Sequence, residues 1–245
     1  MTKFRCFADV PELKPGVLVL SPEESRHVVA VLRVVVGDDV LVLNGRGHEA
    51  VGRVMLADKR GVSLELSHCR LLPEPAFQTT LYVGVPKLPA METILQKATE
   101  LGVWRICPVL TAHSVVKLPA EKQAAKLDRW NKILMAAVKQ CRNPRVPELL
   151  PVTDMAGALD CVGELDLSIV GSLEEGALSV KDLVASSAPL RVGLWIGPEG
   201  DFSREEYAAL HEKGVRAVSF GERILRAETA VVVALAILNY ELERA

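Results

Sequence analysis

The sequence IGPEGDFS, at residues 196–203, decides how the second half of this chain folds. It follows the apolar run 190–196, and a second glycine-containing segment, FGERILRAETA at residues 220–230, follows the apolar run 215–220. Each run predicts a buried strand, and each segment leads into a helical pattern. Glycine at the carboxyl end of a strand lets the backbone approach a ligand where a side chain would block it. The pair therefore predicts a ligand-binding edge of a sheet.

The rest of the chain beyond residue 75 continues this alternation of strand and helix. Apolar runs predict strands at residues 80–85, 106–110, 167–170, 190–196 and 215–220. Helical periods predict helices at residues 90–101, 120–141, 204–214 and 227–243. Ser203 and Glu206 form a capping-box signal for the third of these helices. Strands that alternate with helices are typical of a mostly parallel sheet covered by helices.

The first 70 residues show a different pattern, with short strands separated by turn residues. Strands are predicted at residues 17–20, 40–43, 49–54 and 62–66. That spacing is typical of a small barrel. One helix interrupts the strands. Ser21 is a suitable N-cap residue, Pro22 suits the first helical position, and Glu24 completes a capping box. Two prolines in the run 71–75 indicate a linker to the remainder of the chain.

Both glycine segments closely resemble the signature loops of the 16S ribosomal RNA uridine-N3 methyltransferases, a branch of the knotted SPOUT methyltransferases. Further similarity lies in QKATELGV at 96–103, QCR at 140–142, VPE at 146–148, RHV at 26–28, VLR at 31–33 and GD at 37–38. The resemblance covers essentially the whole chain and is most specific at residues 223–230. One position departs from the pattern of this family: Asp201 stands where the family usually has a second glycine.

The resemblance implies an α/β fold with two domains. Residues 76–245 are expected to form a SPOUT-type, trefoil-knotted, mostly parallel sheet with helices on both faces, which carries the cofactor site and a dimer interface. Residues 1–70 are expected to form a small PUA-like β-barrel that binds RNA. The knot is implied by the resemblance alone, since knots are nearly absent among folds.

An activity is also implied by the resemblance: S-adenosylmethionine-dependent methylation of the N3 atom of a specific uridine in 16S rRNA of the small ribosomal subunit. The enzyme is expected to be a cytoplasmic homodimer that acts in ribosome biogenesis. Two alternatives stay open, another SPOUT methyltransferase acting on transfer RNA or ribose and an RNA-binding homologue without catalysis. A nucleotide-dependent α/β enzyme is disfavoured, because neither GxGxxG nor GxxxxGKS/T occurs in the chain.

Three loops are expected to form the cofactor pocket, the first of them following the strand at 167–170. The residues expected to bind S-adenosylmethionine are Val170, Gly171, Ser172, Ile196, Gly197, Pro198, Glu199, Gly200, Phe220, Gly221, Ile224, Leu225, Arg226, Thr229 and Ala230. For Thr229 and the adjacent Glu228, capping of the last helix is an equally good interpretation.

Methyl transfer to N3 of uracil requires loss of the N3 proton, so a base or a field that favours the anion is needed. Arg226 and Arg223 are the predicted catalytic residues. Two guanidinium groups beside a pocket can bind phosphate or stabilise a deprotonated uracil. Glu199 and Glu228 are candidate bases, although a structural role is favoured for both. The reaction needs no metal, and no histidine or cysteine spacing indicates a metal site.

The charge of the chain is unevenly distributed. The net charge is −2, but residues 76–150 carry 11 Lys and Arg against 5 Asp and Glu, a net of +6. Residues 151–245 carry 8 against 16, a net of −8. A basic surface attracts phosphates whatever the total charge, although solvated helix faces explain the same pattern. Contacts with substrate RNA are expected from Arg5, Arg26, Arg33 and Arg142.

The cysteines and the apolar runs bear on the compartment. Five scattered cysteines, odd in number and without CxxC spacing, fit reduced thiols in a cytosolic protein. The longest apolar run, residues 230–238, is far shorter than the ~20 residues that a membrane-spanning helix needs. The sequence therefore predicts no membrane segment.

Overall fold

A computed structural model describes residues 4–114, 119–172, 176–187 and 189–243. The chain divides into two compact units. The first contains the described residues up to Glu74 together with Met135–Val146. The second contains Pro75–Leu134 and the described residues from Pro147 onward. In the described part of the chain, no helix combines the length and the apolar character that crossing a membrane requires.

The first unit is built on a five-stranded sheet. Its elements are β1 (Phe4–Phe7), β2 (Gly16–Val19), α1 (Pro22–Arg26), β3 (Asp39–Leu43), β4 (His48–Asp58) and β5 (Gly61–Leu71). The strand order is β1-β3-β4-β5-β2, in which β1 is parallel to β3 and the other pairs are antiparallel. Alternate residues of β3 and β5, including Val40, Val42, Val62 and Leu64, are fully buried in its core. The four predicted strands are confirmed, and β1 is an addition.

The capping box predicted for α1 forms only in part. The Ser21 hydroxyl accepts a hydrogen bond from the Glu24 backbone N–H at 3.2 Å, as expected of an N-cap. The Glu24 carboxylate, however, accepts from the Phe7 backbone N–H at 2.9 Å and forms an ion pair with Lys139. The reciprocal half of the predicted box is therefore wrong. A carboxylate that is only 6% exposed is held instead by a charge partner, which compensates for its desolvation.

The second unit contains one parallel sheet. Its strands are β6 (Gln78–Gly84), β7 (Arg105–Leu110), β8 (Glu148–Leu149), β9 (Thr153–Asp154), β10 (Leu167–Gly171), β11 (Arg191–Ile196) and β12 (Arg216–Val218). Their order is β12-β10-β11-β6-β7-β8, with β9 also pairing with β7, and every pair is parallel. Strands buried on both faces read as continuous apolar runs, which is why the sequence located all five longer strands. The mostly parallel α/β fold is confirmed, and the trefoil knot stays a prediction.

Six further α-helices lie in the described residues. They are α2 (Leu88–Glu100), α3 (Ala120–Cys141), α4 (Met155–Asp160), α5 (Val180–Ser187), α6 (Arg204–Glu212) and α7 (Ala227–Leu242). The four predicted helices correspond to α2, α3, α6 and α7, whereas the short α4 and α5 were not predicted. Helix α7 packs against α2, α5 and β11, and its Asn239 side chain donates to the Leu101 carbonyl oxygen at 2.8 Å, at the end of α2.

The register of three neighbouring strands places their carboxyl ends together. Val170 of β10 pairs with Trp195 of β11, and Gly171 of β10 pairs with Val218 of β12. The loops that follow these strands therefore leave the sheet at one edge. In open parallel sheets this edge is where ligands bind.

Candidate cofactor pocket

A cavity of about 280 Å³ lies where the loops after β10, β11 and β12 meet. It is lined by Gly171, Ser172, Ile196, Gly197, Pro198, Glu199, Asp201, Phe220, Gly221, Arg223, Ile224, Leu225, Arg226, Ala227 and Ala230. The sequence-predicted loops thus meet around one cavity. Its lining combines three glycines with apolar side chains and four charged ones.

Three residues expected to bind the cofactor do not line this cavity. Val170 is fully buried in the core beneath it. Gly200 packs against His113, and Thr229 is exposed in the first turn of α7. Conversely, Asp201 and Ala227 line the cavity but were not among the expected cofactor residues.

The loop at residues 197–203 is anchored at its start by close packing on β6. A Cβ atom at Gly84 would lie 2.5 Å from Cδ and 2.9 Å from the backbone N of Pro198. Only glycine can therefore end β6 beneath this proline. The Asp201 backbone N–H then donates to the Pro198 carbonyl at 2.9 Å, which closes a tight turn.

Glu199 connects the same loop to α2. Its Oε1 atom accepts a hydrogen bond from the Lys87 backbone N–H at 3.1 Å. Lys87 is the N-cap residue of α2, and its own side chain makes no capping hydrogen bond. A carboxylate at this position satisfies an N-terminal donor and lies at the favourable end of the helix dipole. The favoured structural interpretation of Glu199 has a physical basis in this contact.

Two further glycines of the pocket are required by close contacts between its walls. A Cβ atom at Gly197 would approach Oδ1 of Asp201 to 2.6 Å, and one at Gly171 would approach the Phe220 ring to 2.8 Å. The first contact places the Asp201 carboxylate directly against the backbone of the pocket wall. The glycines thus serve packing of the loops as well as access to a ligand.

Asp201 adopts the left-handed conformation that glycine favours, with φ +60°. Aspartate is one of the few residues that tolerate it, because the short side chain can hydrogen-bond locally. Here Oδ1 accepts from the Phe202 N–H at 2.8 Å. The Tyr207 hydroxyl lies 3.1 Å from both carboxylate oxygens and 3.3 Å from the Gly171 carbonyl oxygen. Tyr207 therefore links the loops after β10 and β11.

A turn after β7 braces the loop from the other side. His113 Nδ1 lies 3.0 Å from the Asp201 carbonyl oxygen, which can only accept, so Nδ1 carries the proton. The Ala112 backbone N–H donates to Oε1 of Glu206 at 2.8 Å. No local sequence signal indicates the role of this turn, because its contacts are formed across the sheet edge.

The predicted capping box at the start of α6 is confirmed. The Ser203 hydroxyl accepts from the Glu206 N–H at 3.2 Å, and the Glu206 carboxylate accepts from the Ser203 N–H at 2.8 Å. The neighbouring Glu205 has its pKa held below the usual value, chiefly by its own backbone N–H and by the Ser203 hydroxyl, with a smaller effect from His113. The end of the loop is therefore fixed as firmly as its start.

The segment at residues 220–226 presents its side chains differently. Arg226 is the N-cap of α7 but makes no side-chain capping bond, and both Arg223 and Arg226 are exposed and line the cavity. Among the residues that the structure describes, neither guanidinium has a hydrogen bond or an ion pair. A cation at a helix N-terminus is opposed by the helix dipole. Arg226 is therefore poorly explained by helix stability and well placed to meet an anion.

The four arginines predicted to contact RNA all belong to the first compact unit. Arg5 donates through Nη1 to the Lys139 carbonyl at 2.9 Å and to the Gln140 carbonyl, both in the last turn of α3. Arg26 is exposed, and its Nε donates to the Pro22 carbonyl at 3.2 Å. Arg33 and Arg142 are exposed and have φ +58° and +64°.

Comparison with known proteins matches both parts of the chain to RNA methyltransferase families. Residues 73–239 match a family described as RNA methyltransferase domain, and residues 20–67 match one described as RNA methyltransferase PUA domain. The first match covers the whole lining of the cavity. The class is thus an RNA methyltransferase that carries a PUA domain.

Individual relatives narrow this class. The chain is 33% identical over 230 residues to the ribosomal RNA small subunit methyltransferase E of Bacillus subtilis, with 91% of this chain and 90% of that one covered. Similarly named relatives from other bacteria also match over most of the chain. The chain belongs to the family of ribosomal RNA small subunit methyltransferase E.

Solved structures of similar proteins contain the cofactor. A Legionella pneumophila protein in complex with bound SAM superposes with a TM-score of 0.87 at 30% identity, over 98% of both chains. The ribosomal RNA small subunit methyltransferase E of Neisseria gonorrhoeae, bound to S-adenosyl methionine, gives 0.86 at 27% identity over 96% of both chains. Both proteins share the architecture of this chain from end to end.

Proposed function

We propose that this chain transfers a methyl group from S-adenosylmethionine to N3 of a specific uridine in the 16S rRNA of the small ribosomal subunit. Membership of the family supports methylation of small-subunit RNA. The observation that carries the proposal is the cavity itself, which is lined by both glycine segments and by Arg223 and Arg226 of the second, two arginines that have no partner among the described residues. N3 of uracil is the target that the resemblance of these loops implies.

The lining of the cavity fits S-adenosylmethionine. Gly171 and Gly197 let the walls of the cavity pack closely, because Phe220 and Asp201 fill the space that a side chain at these positions would take. Ile196, Phe220 and Leu225 supply apolar walls suited to a purine ring. When bound, the cofactor supplies a methyl group on a sulfonium sulfur, so the protein needs only to align it with the nucleophile.

Arg226 and Arg223 have the catalytic part in this proposal. Uracil N3 becomes a nucleophile as its proton leaves, and negative charge then spreads over N3 and the adjacent carbonyl oxygens. Two guanidinium groups and the N-terminus of α7 create a field that favours this charge. Of the two candidate bases, Glu199 is engaged by the Lys87 N–H, whereas Glu228 is half-buried in the first turn of α7.

The proposal is tested by methyl transfer from labelled S-adenosylmethionine to small ribosomal subunits from a strain that lacks this gene. Nucleoside mass spectrometry identifies the product, and subunits from the parent strain, already modified, serve as the negative control. We expect 3-methyluridine in 16S rRNA from the deficient subunits only.

Other outcomes would move the protein to one of the alternatives. A different methylated nucleoside, or methylation of transfer RNA, would indicate another SPOUT activity. Cofactor binding without transfer to any RNA would indicate an RNA-binding homologue without catalysis. Absence of both would contradict the assignment of the cavity.

Residues 1–70 are proposed as the RNA-binding PUA-like domain and residues 76–245 as the methyltransferase domain. Arg26 and Arg33 are the favoured phosphate contacts of the first, because both are exposed. Arg5 is already engaged with the end of α3, so its substitution should disturb that helix end as well. Filter binding of 16S rRNA fragments at several salt concentrations would separate these roles, since each lost phosphate contact lowers the salt slope by about one.

A cytoplasmic homodimer is also part of the proposal. The family resemblance supports it, and α7 offers a suitable surface: Val232, Val233 and Ile237 are only half-buried, and Tyr240 is 57% exposed. Apolar faces of this kind are commonly covered by a partner. Sedimentation of the purified protein should show a dimer, and Tyr240→Glu should shift it towards monomer.

A further inference from the structure

Asp201 is a charged group on the pocket wall, at a position whose backbone conformation favours glycine. Holding a non-glycine residue at φ +60° costs on the order of 1 kcal/mol. The backbone conformation alone gives no reason to prefer aspartate to glycine there. The carboxylate is therefore the feature that needs a physical account.

The carboxylate is fixed against the cavity. Its Oδ1 atom accepts a hydrogen bond from the Phe202 N–H. The same atom lies so close to Gly197 that a Cβ atom built on that glycine would be only 2.6 Å from it. The Tyr207 hydroxyl holds both oxygens from the side of α6. A carboxylate held by three contacts keeps its charge in one place instead of swinging out into solvent.

This carboxylate also has unused capacity to accept. A carboxylate can accept about four hydrogen bonds. Here the Phe202 N–H donates one, and the single hydroxyl proton of Tyr207 is shared with the Gly171 carbonyl oxygen. No Lys or Arg in the described ranges lies within ion-pair distance of it. Its negative charge is thus not cancelled by a direct ion pair, and the two arginines of the cavity lining, Arg223 and Arg226, lie beyond that distance.

The two forms of the cofactor differ in charge at the sulfur. S-Adenosylmethionine carries a sulfonium cation, and the product S-adenosylhomocysteine carries a neutral thioether in an otherwise equivalent molecule. A carboxylate on the wall without an ion-pair partner stabilises the cation and leaves the neutral form nearly unaffected. We propose that Asp201 makes the pocket prefer S-adenosylmethionine over S-adenosylhomocysteine, so that new cofactor displaces the bound product more readily. This inference rests on the proposed function.

The test is calorimetric measurement of Kd for both compounds with the full-length protein and with Asp201→Asn, at low salt. Asparagine keeps the size and the acceptor oxygen but removes the charge. We expect binding of S-adenosylmethionine to weaken about three- to tenfold, as for a charge partly screened by water, with S-adenosylhomocysteine nearly unchanged. Glu212→Gln removes a carboxylate at the far end of α6, outside the cavity, and should leave both Kd values unchanged.

Three results would overturn the inference. Equal weakening of both compounds would show that Asp201 acts through the shape of the loop, and Asp201→Gly would then reproduce it. Unchanged Kd values in Asp201→Asn would show that the charge is too far from the sulfur to matter. Failure of the unsubstituted protein to bind either compound would instead contradict the proposed function. Unfolding curves of the variants identify any loss of binding that follows from loss of fold.

Discussion

The loop at residues 197–203 and the segment at residues 220–226 line the same cavity but are held in different ways. The first is fixed by Pro198 on Gly84, by Glu199 on the start of α2 and by His113 on the Asp201 carbonyl. The second exposes Arg223, Ile224 and Arg226. One wall is braced along its length, and the other offers two arginines without a partner among the described residues.

The two walls of the pocket therefore have different roles. A braced loop has little freedom left to lose when a ligand binds, so it suits the recognition of a fixed shape. Side chains without partners inside the protein contribute little to its stability, so their residue types are better explained by the ligands that they contact. The comparison predicts that substitutions in the braced loop change stability and cofactor affinity, and that substitutions in the arginine segment change turnover.

The largest effect is expected for Arg226→Ala. Loss of one charge-stabilising donor should lower kcat/KM by roughly 10²–10³, while Kd for S-adenosylmethionine stays within about threefold. The free energy of unfolding should not fall, because the change removes a cation from a helix N-terminus. Methyl-transfer kinetics together with calorimetry measure both quantities.

Two variants serve as controls for this change. Arg226→Lys keeps the charge but loses the planar fork, so it should restore only part of the turnover. Arg204→Ala removes an arginine from the first turn of another helix, outside the cavity, and should have no effect. Normal turnover of Arg226→Ala would remove this residue from the mechanism and break the comparison.

The next effect is expected for Gly84→Ala, which tests the braced loop. The added methyl would lie 2.5 Å from Pro198 Cδ, so the loop must shift. We expect a loss of about 1–3 kcal/mol of unfolding free energy and a clearly weaker affinity for S-adenosylmethionine. Gly163→Ala, where nothing lies within 4 Å of the new atom, is the matched control. Equal behaviour of the two variants in denaturant unfolding would contradict the tight contact.

A smaller effect is expected for Ser203→Ala. The change removes the hydroxyl that accepts from Glu206 N–H at the start of α6, and such caps contribute about 1 kcal/mol. Denaturant unfolding should show this loss, with only a minor change in cofactor affinity. Ser203→Asn, which retains a capping oxygen, should recover most of it; a variant as weak as alanine would argue against the cap.

The smallest effect on stability is expected for Ile224→Ala. Ile224 is 84% exposed, so its truncation should change the free energy of unfolding by less than about 0.5 kcal/mol. If its side chain covers bound cofactor or uracil, KM should rise. A loss of stability like that of Gly84→Ala would show that the two segments are not held differently after all.

The signals that succeeded in the sequence were local. The apolar runs located β10, β11 and β12, and the pair Ser203 and Glu206 located the start of α6. Buried parallel strands and helix caps leave such traces because their residue types follow from their immediate surroundings. The glycine-rich loops then followed as connections between these elements.

Contacts between distant parts of the chain left no such signal. Glu24 was read as half of a capping box, yet its carboxylate is held by Phe7 and Lys139. The segment Met135–Val146 belongs to the same compact unit as the first strands, although it lies far along the sequence. The turn containing His113 carries no local signal of its contact, because its partner, Asp201, lies 88 residues further along the chain.

The sequence by itself determined the alternation of strands and helices, the glycine loops and the family to which they belong. Short stretches of sequence are enough to recognise periodicity, helix caps and turn residues. Each of the two loop motifs also lies within one such stretch. Only the tertiary structure decided that Asp201 retains the conformation of glycine, that Tyr207 and His113 brace it, and that Arg223 and Arg226 remain without a partner among the described residues. These are relations between groups brought together by strand order, and strand order in a parallel sheet is set by long-range packing that no short window contains.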